Sequence, residues 1–346
     1  MEKEKIKIAF IVNPISGTRK KDDIPSIIEG TLDDSRFDAD IIFTEYAGHA
    51  AEIASRCADE GYDICVAVGG DGTVNEVARS LVHRQTALGI IPCGSGNGLA
   101  RHLCLPMDPK RAVEIINVAQ IEAFDYGIIN ALPFFCTCGM GFDAFISLKF
   151  AESGKRGPIT YVENVLREGL KYKPETYEVE SDDGKHRYKA FLIACANASQ
   201  YGNNAYIAPG ATMKDGEMDV IIMEPFDALE APQIAADLFM KTLANNSRIK
   251  TFRTQRLHIH RKSPGAIHYD GDPIMTGTDI DVSIEHLGLR IVTNPEATED
   301  AAQPSALLNA FSDFFNNINN VREDIEKRGH RLQVINKLML RKLSKL

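Results

Sequence analysis

The chain has 346 residues, 44% hydrophobic and 25% charged, which is enough for two globular domains of ordinary composition. Its formal net charge of −9 argues against a nucleic-acid-binding protein, because phosphate backbones attract basic surfaces. The apolar run near the N-terminus is too short for a signal peptide, and no stretch approaches the ~20 apolar residues of a membrane-spanning helix.

The first part of the chain alternates between strands and helices. Apolar periodicity predicts buried strands at residues 5–12, 40–43, 64–68 and 87–91, with helices from about residue 22, at 49–59 and at 73–82. Strands alternating with helices of this length are typical of a parallel, doubly wound sheet. We therefore expect an α/β domain over residues 1–130.

The second part is richer in strands. Strands are predicted at residues 177–180, 188–196, 218–223, 257–260, 280–285 and 289–293, and helices at 161–171 and 228–243. This pattern predicts a β-rich, antiparallel sandwich domain over residues 131–294, with its last strand a candidate to return to the first domain. The acidic, proline-flanked segment 295–304 is predicted to be a linker.

A helical tail is predicted at residues 305–346. It carries a net charge of +4, and all charges in its last sixteen residues are positive. In the predicted helix Leu332, Ile335, Met339, Leu343 and Leu346 fall on one face, so the sequence predicts a basic amphipathic helix. Such a helix can lie on an anionic membrane surface, but it can equally pack on its own protein or on a twin subunit. We expect a cytoplasmic protein with peripheral membrane contact and reduced cysteines, because no CxxC pair occurs.

Three turns in the first domain each follow a predicted buried strand. The first is Asn13-Pro14-Ile15-Ser16-Gly17, in which Pro14 stiffens the turn, Ser16 offers a hydroxyl and Gly17 allows close backbone approach. Because each turn lies at the carboxyl edge of the predicted sheet, all three are candidates for ligand binding. A plain strand-to-helix turn would look similar to the first one, so this motif alone is weak.

The second turn combines glycines with an acid. Gly69, Gly70 and Gly72 clear space around Asp71, and the spacing of Thr73 and Glu76 predicts a capping box for the helix that follows. A carboxylate beside a phosphate site repels it unless a cation lies between them. Asp71 therefore implies Mg²⁺ or a hydroxyl proton to accept.

The third turn is Pro92-Cys-Gly94-Ser95-Gly-Asn97-Gly-Leu-Ala-Arg101. Gly94 again leaves space, Ser95 and Asn97 offer polar contacts or helix caps, and Arg101 is long enough to reach an anion. The nucleotide-binding and the purely structural interpretations of this loop are equally good. Neither the Walker A pattern GxxxxGK[ST] nor a GxGxxG fingerprint after the first strand occurs, which disfavours two common phosphate-binding folds.

Taken together, the three loops resemble the catalytic domain shared by diacylglycerol, sphingosine and ceramide kinases. NPISG, GGDGTVNE and PCGSGNGLAR occur in this order, and the likeness is closest to the soluble bacterial diacylglycerol kinase-like lipid kinases. GGDGT alone would also suit NAD kinase or phosphofructokinase. The segments starting at Pro209 (PGATMKDGEMD) and Tyr269 (YDGD) extend the resemblance through about residue 294. It implies an NAD-kinase-like first domain.

The resemblance also implies roles for individual residues. ATP is expected on Asn13, Pro14, Ser16, Gly17, Thr44, Gly69, Gly70, Asp71, Gly72, Thr73, Asn75, Gly94 and Ser95. Thr44 enters this set because it begins a TxxxGxA segment similar to that of the family. A structural Mg²⁺ is expected at Thr212, Asp215 and Glu217, with two of these ligands acting through their backbone carbonyls. The implied activity is transfer of the terminal phosphate of ATP, with Mg²⁺, to a hydroxyl of a diacylglycerol-like or sphingoid-like lipid.

One departure from the family pattern leaves the proton acceptor open. The Glu of the family's DGE segment is replaced by Asp272, whose arm is one methylene shorter, so Asp71, Asp270 and Asp272 are all candidates. Two other functions remain as alternatives: an NAD kinase-like enzyme with a soluble substrate, and a catalytically inactive lipid-sensing protein. The sequence does not identify the lipid, and a homodimer is expected only by analogy with the bacterial relatives.

Overall fold

A computed structural model of the protein describes residues 5–15, 23–153, 169, 172–227 and 229–297. The predictions for the basic tail and for most of the helix at 161–171 lie outside these residues. Ser16 and Gly17 of the first turn lie outside them as well. Within the described residues, no helix has the length and apolar character needed to cross a bilayer.

The first domain is a parallel sheet covered on both faces. Its strands are β1 (Ile6–Val12), β2 (Phe37–Phe43), β3 (Ile64–Gly69) and β4 (Ala87–Pro92), in the order β2-β1-β3-β4. The helices are α1 (Ile24–Thr31), α2 (His49–Asp59), α3 (Asp71–Leu81), α4 (Gly98–His102) and α5 (Pro109–Val118). Every residue of β3 and β4 is buried, because α2 and α3 pack on one face while α1 and α5 pack on the other.

The second domain is a sandwich of antiparallel strands. Its elements are β5 (Ile121–Ile129), β6 (Leu132–Phe134), β7 (Thr137–Gly141), α6 (Phe142–Ser153), β8 (Glu175–Ser181), β9 (Gly184–Ala190), β10 (Leu192–Ala196), β11 (Met218–Met223), α7 (Ala231–Phe239), β12 (Ile249–Thr254), β13 (Arg256–Arg261), β14 (Gly265–Tyr269), β15 (Asp272–Thr276) and β16 (Asp279–Val292). One sheet has the order β12-β11-β10-β7-β14-β15. The strands facing it extend the sheet of the first domain through β16, β13, β8 and β9, with β5 and β6 at the side. Side chains from both sheets share one apolar core, so the predicted fold class is confirmed.

Strand β16 connects the two domains. Its first half pairs with β13 and β5, and its last residues pair with β5 and, at Ile291, with Leu88 of β4. The strand changes register between Glu285 and Leu289, where Leu287 adopts φ 52. The same strand therefore contributes to the core of the sandwich and to that of the parallel sheet.

The capping box predicted for the helix after the second turn is wrong. Helix α3 begins at Asp71 rather than Thr73, and its N-cap Gly70 makes no side-chain cap. The Glu76 carboxylate instead accepts hydrogen bonds from the amides of Gly48 and Ala50, at 3.0 and 3.2 Å, where α2 begins. The packing of α2 against α3 brings these amides within reach of Glu76. A capping-box pattern considers only residues close in the sequence, so it cannot predict these distant donors.

Candidate active site

A small cavity lies between the two domains, at the carboxyl ends of β3 and β4. The cavity is lined partly by apolar side chains and partly by five polar ones, Asp71, Asn75, Asn97, Cys136 and Asp270. The first three belong to the α/β domain, and the last two belong to the sandwich. Open parallel sheets bind ligands at this edge, so the cavity is the candidate site.

Asp71 connects the second turn to the third. Its Oδ2 accepts a hydrogen bond from the amide of Asn97 at 2.8 Å, and its Oδ1 accepts one from the amide of Gly98 at 2.7 Å. These amides lie at the beginning of α4, where N–H groups have no partner within the helix. The carboxylate therefore fixes the third turn against α3 through charge-assisted hydrogen bonds.

Two glycines allow the second and third turns to touch. A Cβ atom on Gly94 would lie 2.7 Å from the Cα of Gly70 and 2.8 Å from Oδ1 of Asn97, so a side chain has no room there. A Cβ on Gly72 would meet nothing within 4 Å. Gly70 and Gly94 therefore serve the contact between the turns, while Gly72 faces open space.

Asn75 presents a hydrogen-bond donor that the protein does not use. The residue is 4% exposed, and its Nδ2 is buried without a hydrogen-bond partner. It lies one helical turn after Asp71 on α3 and lines the same cavity. Buried amide groups are nearly always paired, so an unpaired one in a cavity indicates a ligand that accepts a hydrogen bond.

Asp270 enters the cavity from the second domain. Residues 270 and 271 form the two-residue turn between β14 and β15, with φ 50 and 87, and an Asp-Gly pair is well suited to this type I′ geometry. The Asp270 carboxylate accepts hydrogen bonds from the amides of Phe135, Cys136 and Thr137, at 2.7, 2.7 and 3.0 Å. The carboxylate is therefore held in place by the loop between β6 and β7.

The surroundings of Asp270 alter its acidity. Burial raises the pKa of Asp270 to about 6, although the three amide hydrogen bonds and the charge of Arg79 oppose that rise. Burial also raises the pKa of the Cys136 thiol, and the charges of Asp270 and Asp71 add to the effect. Asp270 is therefore a carboxyl group that titrates close to neutral pH, beside a thiol that stays protonated.

Asp272, the third candidate proton acceptor, lies outside the cavity. It begins β15, it is exposed, and its Oδ2 lies 3.2 Å from a guanidinium nitrogen of Arg79 on α3. The guanidinium also covers the ring of Tyr269 at 4.6 Å from the centroid. The structure therefore brings Asp71 and Asp270 together at the cavity and gives Asp272 a different partner.

The first turn reaches the second through Asn13. Nδ2 of Asn13 donates to Oγ1 of Thr73 at 3.1 Å, and its Oδ1 accepts from the amide of Ile15, just beyond Pro14.

The other residues expected to bind ATP differ in exposure: Thr73 and Thr44 are buried, whereas Ser95 is exposed on the third turn. The assignment of these residues to ATP remains a prediction. Arg101, considered for anion contact, donates to the carbonyl of Gly96 at 3.0 Å.

The residues predicted to hold a structural cation are engaged by an arginine. Arg253 on β12 pairs with Asp215 and lies 3.2 Å from Oε2 of Glu217, and Asp215 also accepts from the amide of Glu217 at 3.1 Å. Thr212 is exposed on the same loop. Among the described residues, no three His, Cys, Asp or Glu side chains are arranged to hold a metal. The cation therefore remains a prediction, and Arg253 would compete with it for these carboxylates.

We expect Mg²⁺ without nucleotide to raise the Tm of an Arg253→Met variant more than that of the wild type. The guanidinium and a divalent cation compete for the carboxylates of Asp215 and Glu217. Thermal unfolding of both proteins in Mg²⁺ and in EDTA measures this rise in Tm. Each kcal/mol of binding free energy should raise the Tm by about 2–4 °C. An equal rise in both proteins would contradict competition at this loop.

Sequence reasoning missed two residues that organise the site. Arg79 is not part of any motif, and only its position two turns after Asp71 on α3 hints at a role. Asp125 is fully buried and accepts from the amides of Gly216 and Leu287, each at 2.7 Å, which ties the Asp215 loop to the irregularity in β16. An acid in the middle of the mostly apolar residues 121–129, in addition to Glu122 near their start, was the available signal for Asp125.

Comparisons with known proteins agree with this architecture. The diacylglycerol kinase of Staphylococcus saprophyticus is 28% identical over 230 residues, covering 65% of this chain and 75% of that protein. The structure of a diacylglycerol kinase from Bacillus anthracis has a TM-score of 0.67 at 20% identity, covering 86% of this chain and 100% of that one. An NAD kinase from Archaeoglobus fulgidus, solved in complex with ATP, has a TM-score of 0.50 at 14% identity, covering 88% and 98%. These two structural likenesses concern the fold alone.

Family matches cover both domains. Residues 7–129 match the diacylglycerol kinase catalytic domain, and residues 137–290 match the YegS C-terminal NAD kinase beta sandwich-like domain. The first match ends with strand β5, and the second begins with strand β7. The resemblance of the three turns to lipid kinases is thereby confirmed, and the chain belongs to the diacylglycerol kinase-like family of lipid kinases.

Proposed function

We propose that the protein transfers the terminal phosphate of ATP, in the presence of Mg²⁺, to a hydroxyl group of a lipid. Membership of a lipid kinase family supports the class of reaction, and the cavity between the domains supports its location. The lipid belongs to the diacylglycerol-like or sphingoid-like class. Peripheral contact with a membrane is part of the proposal, because the acceptor lipid resides there.

One observation carries the proposal. The unpaired buried amide of Asn75 shares a cavity with the carboxylates of Asp71 and Asp270, which come from different domains. Phosphoryl transfer requires donors that position phosphate oxygens and a carboxylate beside the accepting hydroxyl. Asn75 supplies a donor of this kind, while Asp71 fixes the turn that faces it.

We assign the role of proton acceptor, or general base, to Asp270. A general base works best when its pKa is close to the operating pH, and the pKa of Asp270 is raised to about 6. In the proposed reaction its carboxylate accepts the proton of the lipid hydroxyl as that oxygen attacks the terminal phosphorus, and ADP leaves with the bridging oxygen of the broken P–O bond. Mg²⁺ bound with the nucleotide would offset the negative charge that the phosphates and the two carboxylates bring together.

A transfer assay with a panel of acceptors tests the function. Purified protein, Mg²⁺ and labelled ATP are offered diacylglycerol, ceramide, sphingosine, undecaprenol and NAD in parallel. The proposal requires label in one or more of the lipids and none in NAD. Label in NAD alone would indicate an enzyme with a soluble substrate. Lipid binding with no transfer to any acceptor would indicate an inactive lipid-sensing protein.

Replacing Asn75 by leucine is expected to weaken nucleotide binding without weakening the fold. A hydrogen bond to a charged group contributes roughly 1.5–3 kcal/mol, so the Kd for ATP should rise about 10- to 100-fold. Removing a buried donor that has no partner should leave the Tm unchanged or raise it. Calorimetric titration with ATP and thermal unfolding measure the two effects.

Asn117→Leu is the matched control for Asn75→Leu. Asn117 lies on α5, where its Nδ2 donates to the carbonyl of Thr31 at 2.8 Å and its Oδ1 accepts from the amide of Asp33 at 2.9 Å. Its replacement should lower the Tm, because both hydrogen bonds are lost. It should leave the Kd for ATP unchanged, because neither hydrogen bond involves a residue that lines the cavity. Unchanged ATP binding in Asn75→Leu would remove this residue from the nucleotide site.

A further inference from the structure

The two domains are joined beside the cavity by an ion pair. Arg79 of α3 reaches Asp272 of β15 at 3.2 Å, and its guanidinium lies over the ring of Tyr269. The Arg79 side chain is 25% exposed, and its Nε is buried without a hydrogen-bond partner. Stacking on the ring and pairing with Asp272 therefore hold the charge at the turn between β14 and β15.

Asp272 is poorly placed to accept the proton of a substrate. Its side chain is 54% exposed, and its carboxylate is engaged with Arg79. Asp270, two residues earlier, lines the cavity, where its carboxylate accepts hydrogen bonds from the amides of residues 135–137. The short aspartate at position 272 is thus compatible with a role in holding Arg79.

The charge of Arg79 acts on Asp270. Of the influences on Asp270, burial raises its pKa, whereas the amide hydrogen bonds and Arg79 lower it. The other titratable groups around Asp270 come from several elements: Asp71 on α3, Cys136 in the loop before β7, Asp143 on α6, and His268 and Asp272 on the hairpin itself. Nε2 of His268 and Oδ2 of Asp143 lie 3.1 Å apart, so these two side chains are engaged with each other. Arg79 is the cation that acts on the carboxylate from the first domain.

We propose that Arg79 is a positioning residue for phosphoryl transfer: Asp272 and the ring of Tyr269 hold its guanidinium at the turn that carries the proton acceptor Asp270, so that a positive charge from the first domain lies beside this carboxylate. The inference rests on the proposed function, and it assigns the substitution at position 272 a role. An exposed ion pair adds little stability by itself, at about 0–1 kcal/mol. The pair therefore matters here for the charge that it places beside Asp270.

The pH dependence of transfer tests the role of the charge. In Arg79→Met the ionised form of Asp270 loses its cation, so the acidic limb of the kcat/KM profile should move to higher pH. Transfer at about pH 6, where Asp270 titrates in the wild type, should then fall, and the two proteins should converge at higher pH, where Asp270 is fully ionised in both. Arg79→Lys retains a cation and should keep the wild-type limb. Asp272→Asn should shift the limb by less than Arg79→Met, because Tyr269 still holds the guanidinium.

A structural role would give a different result. Loss of packing alone would lower activity by the same factor at every pH, in Arg79→Lys as in Arg79→Met. The matched control is Arg84→Met, since Arg84 forms a comparable exposed pair with Asp59 at 2.5 Å and should leave the profile unchanged. An unshifted acidic limb in Arg79→Met would overturn the proposal.

A second measurement separates this inference from the proposed function. Carbon-13 NMR follows the titration of the Asp270 carboxyl group directly, and Asp270→Asn identifies its signal. A higher midpoint in Arg79→Met than in the wild type supports the inference, even if no lipid accepts phosphate. Equal midpoints contradict it, even if the wild type is an active lipid kinase.

Discussion

Replacing Asp270 by asparagine should reduce phosphate transfer to lipid by about 10²- to 10⁴-fold, the usual contribution of a general base. Asparagine has nearly the same shape and keeps one oxygen for the amides of Cys136 and Thr137, which both donate to Oδ1 in the wild type. Its amide group cannot accept a proton. Initial rates with saturating ATP, together with the Kd for ATP, measure the loss, and nucleotide binding should change little.

The stability of the Asp270→Asn variant should depend differently on pH. The folded-state pKa of Asp270 lies above its ordinary value of 3.8, at about 6, so the folded protein binds this proton more tightly than the unfolded chain. The stabilisation is present below 3.8 and is lost as the pH rises through about 6. Urea unfolding across this window should show the decline in the wild type and not in the variant.

Asp272→Asn is the decisive comparison for this prediction. Asp272 is exposed and lies outside the cavity, so its replacement should cost far less transfer than that of Asp270. If Asp272→Asn proves the more damaging of the two, the proton acceptor is Asp272 and the assignment to Asp270 is wrong.

Replacing Asp71 by asparagine should also abolish most transfer, while the protein stays folded. The two oxygens of Asp71 each accept one amide, from Asn97 and from Gly98. Asparagine has one accepting oxygen, so its NH₂ group must face one of these N–H groups. An unsatisfied buried donor costs about 1–3 kcal/mol, which is small against a total stability of roughly 5–15 kcal/mol.

The expected loss of activity in Asp71→Asn follows from the displaced turn. A shift of about 1 Å away from the chemistry can cost about 10²-fold in rate, and the variant also loses a charge that faces the cavity. The wild type and the variant are compared by kcat, by the KM for ATP, and by circular dichroism for the fold. Near-normal turnover would remove Asp71 from the mechanism.

Arg101→Met distinguishes the charge of Asp71 from the order of the turn. Arg101 supports the same turn through its bond to the carbonyl of Gly96, and its removal leaves the Asp71 carboxylate intact. We expect a smaller loss than in Asp71→Asn. Equal losses would mean that the position of the turn, rather than the carboxylate, limits the reaction.

Several residues of the site have a physical role that their motif does not reveal. Gly70 and Gly94 were expected to leave space at their turns, and they also allow the two turns to touch, while their assignment to ATP remains a prediction. The Glu76 carboxylate was expected to cap its own helix, and it caps α2. In each case the motif marked the correct region, whereas contacts between distant segments determined the role.

The sequence by itself determined the alternation of buried strands and helices, the antiparallel second domain and the meeting of glycine turns at one sheet edge. These features follow from periodicity and from the conformations of glycine and proline, which depend on near neighbours in the chain. The tertiary structure alone decided that Asp270 faces the cavity while Asp272 faces Arg79. Asp270 is held by amides about 135 residues earlier in the chain, and Arg79 meets a partner 193 residues later. Partners so distant are selected by the packing of the two domains, which a local pattern does not encode.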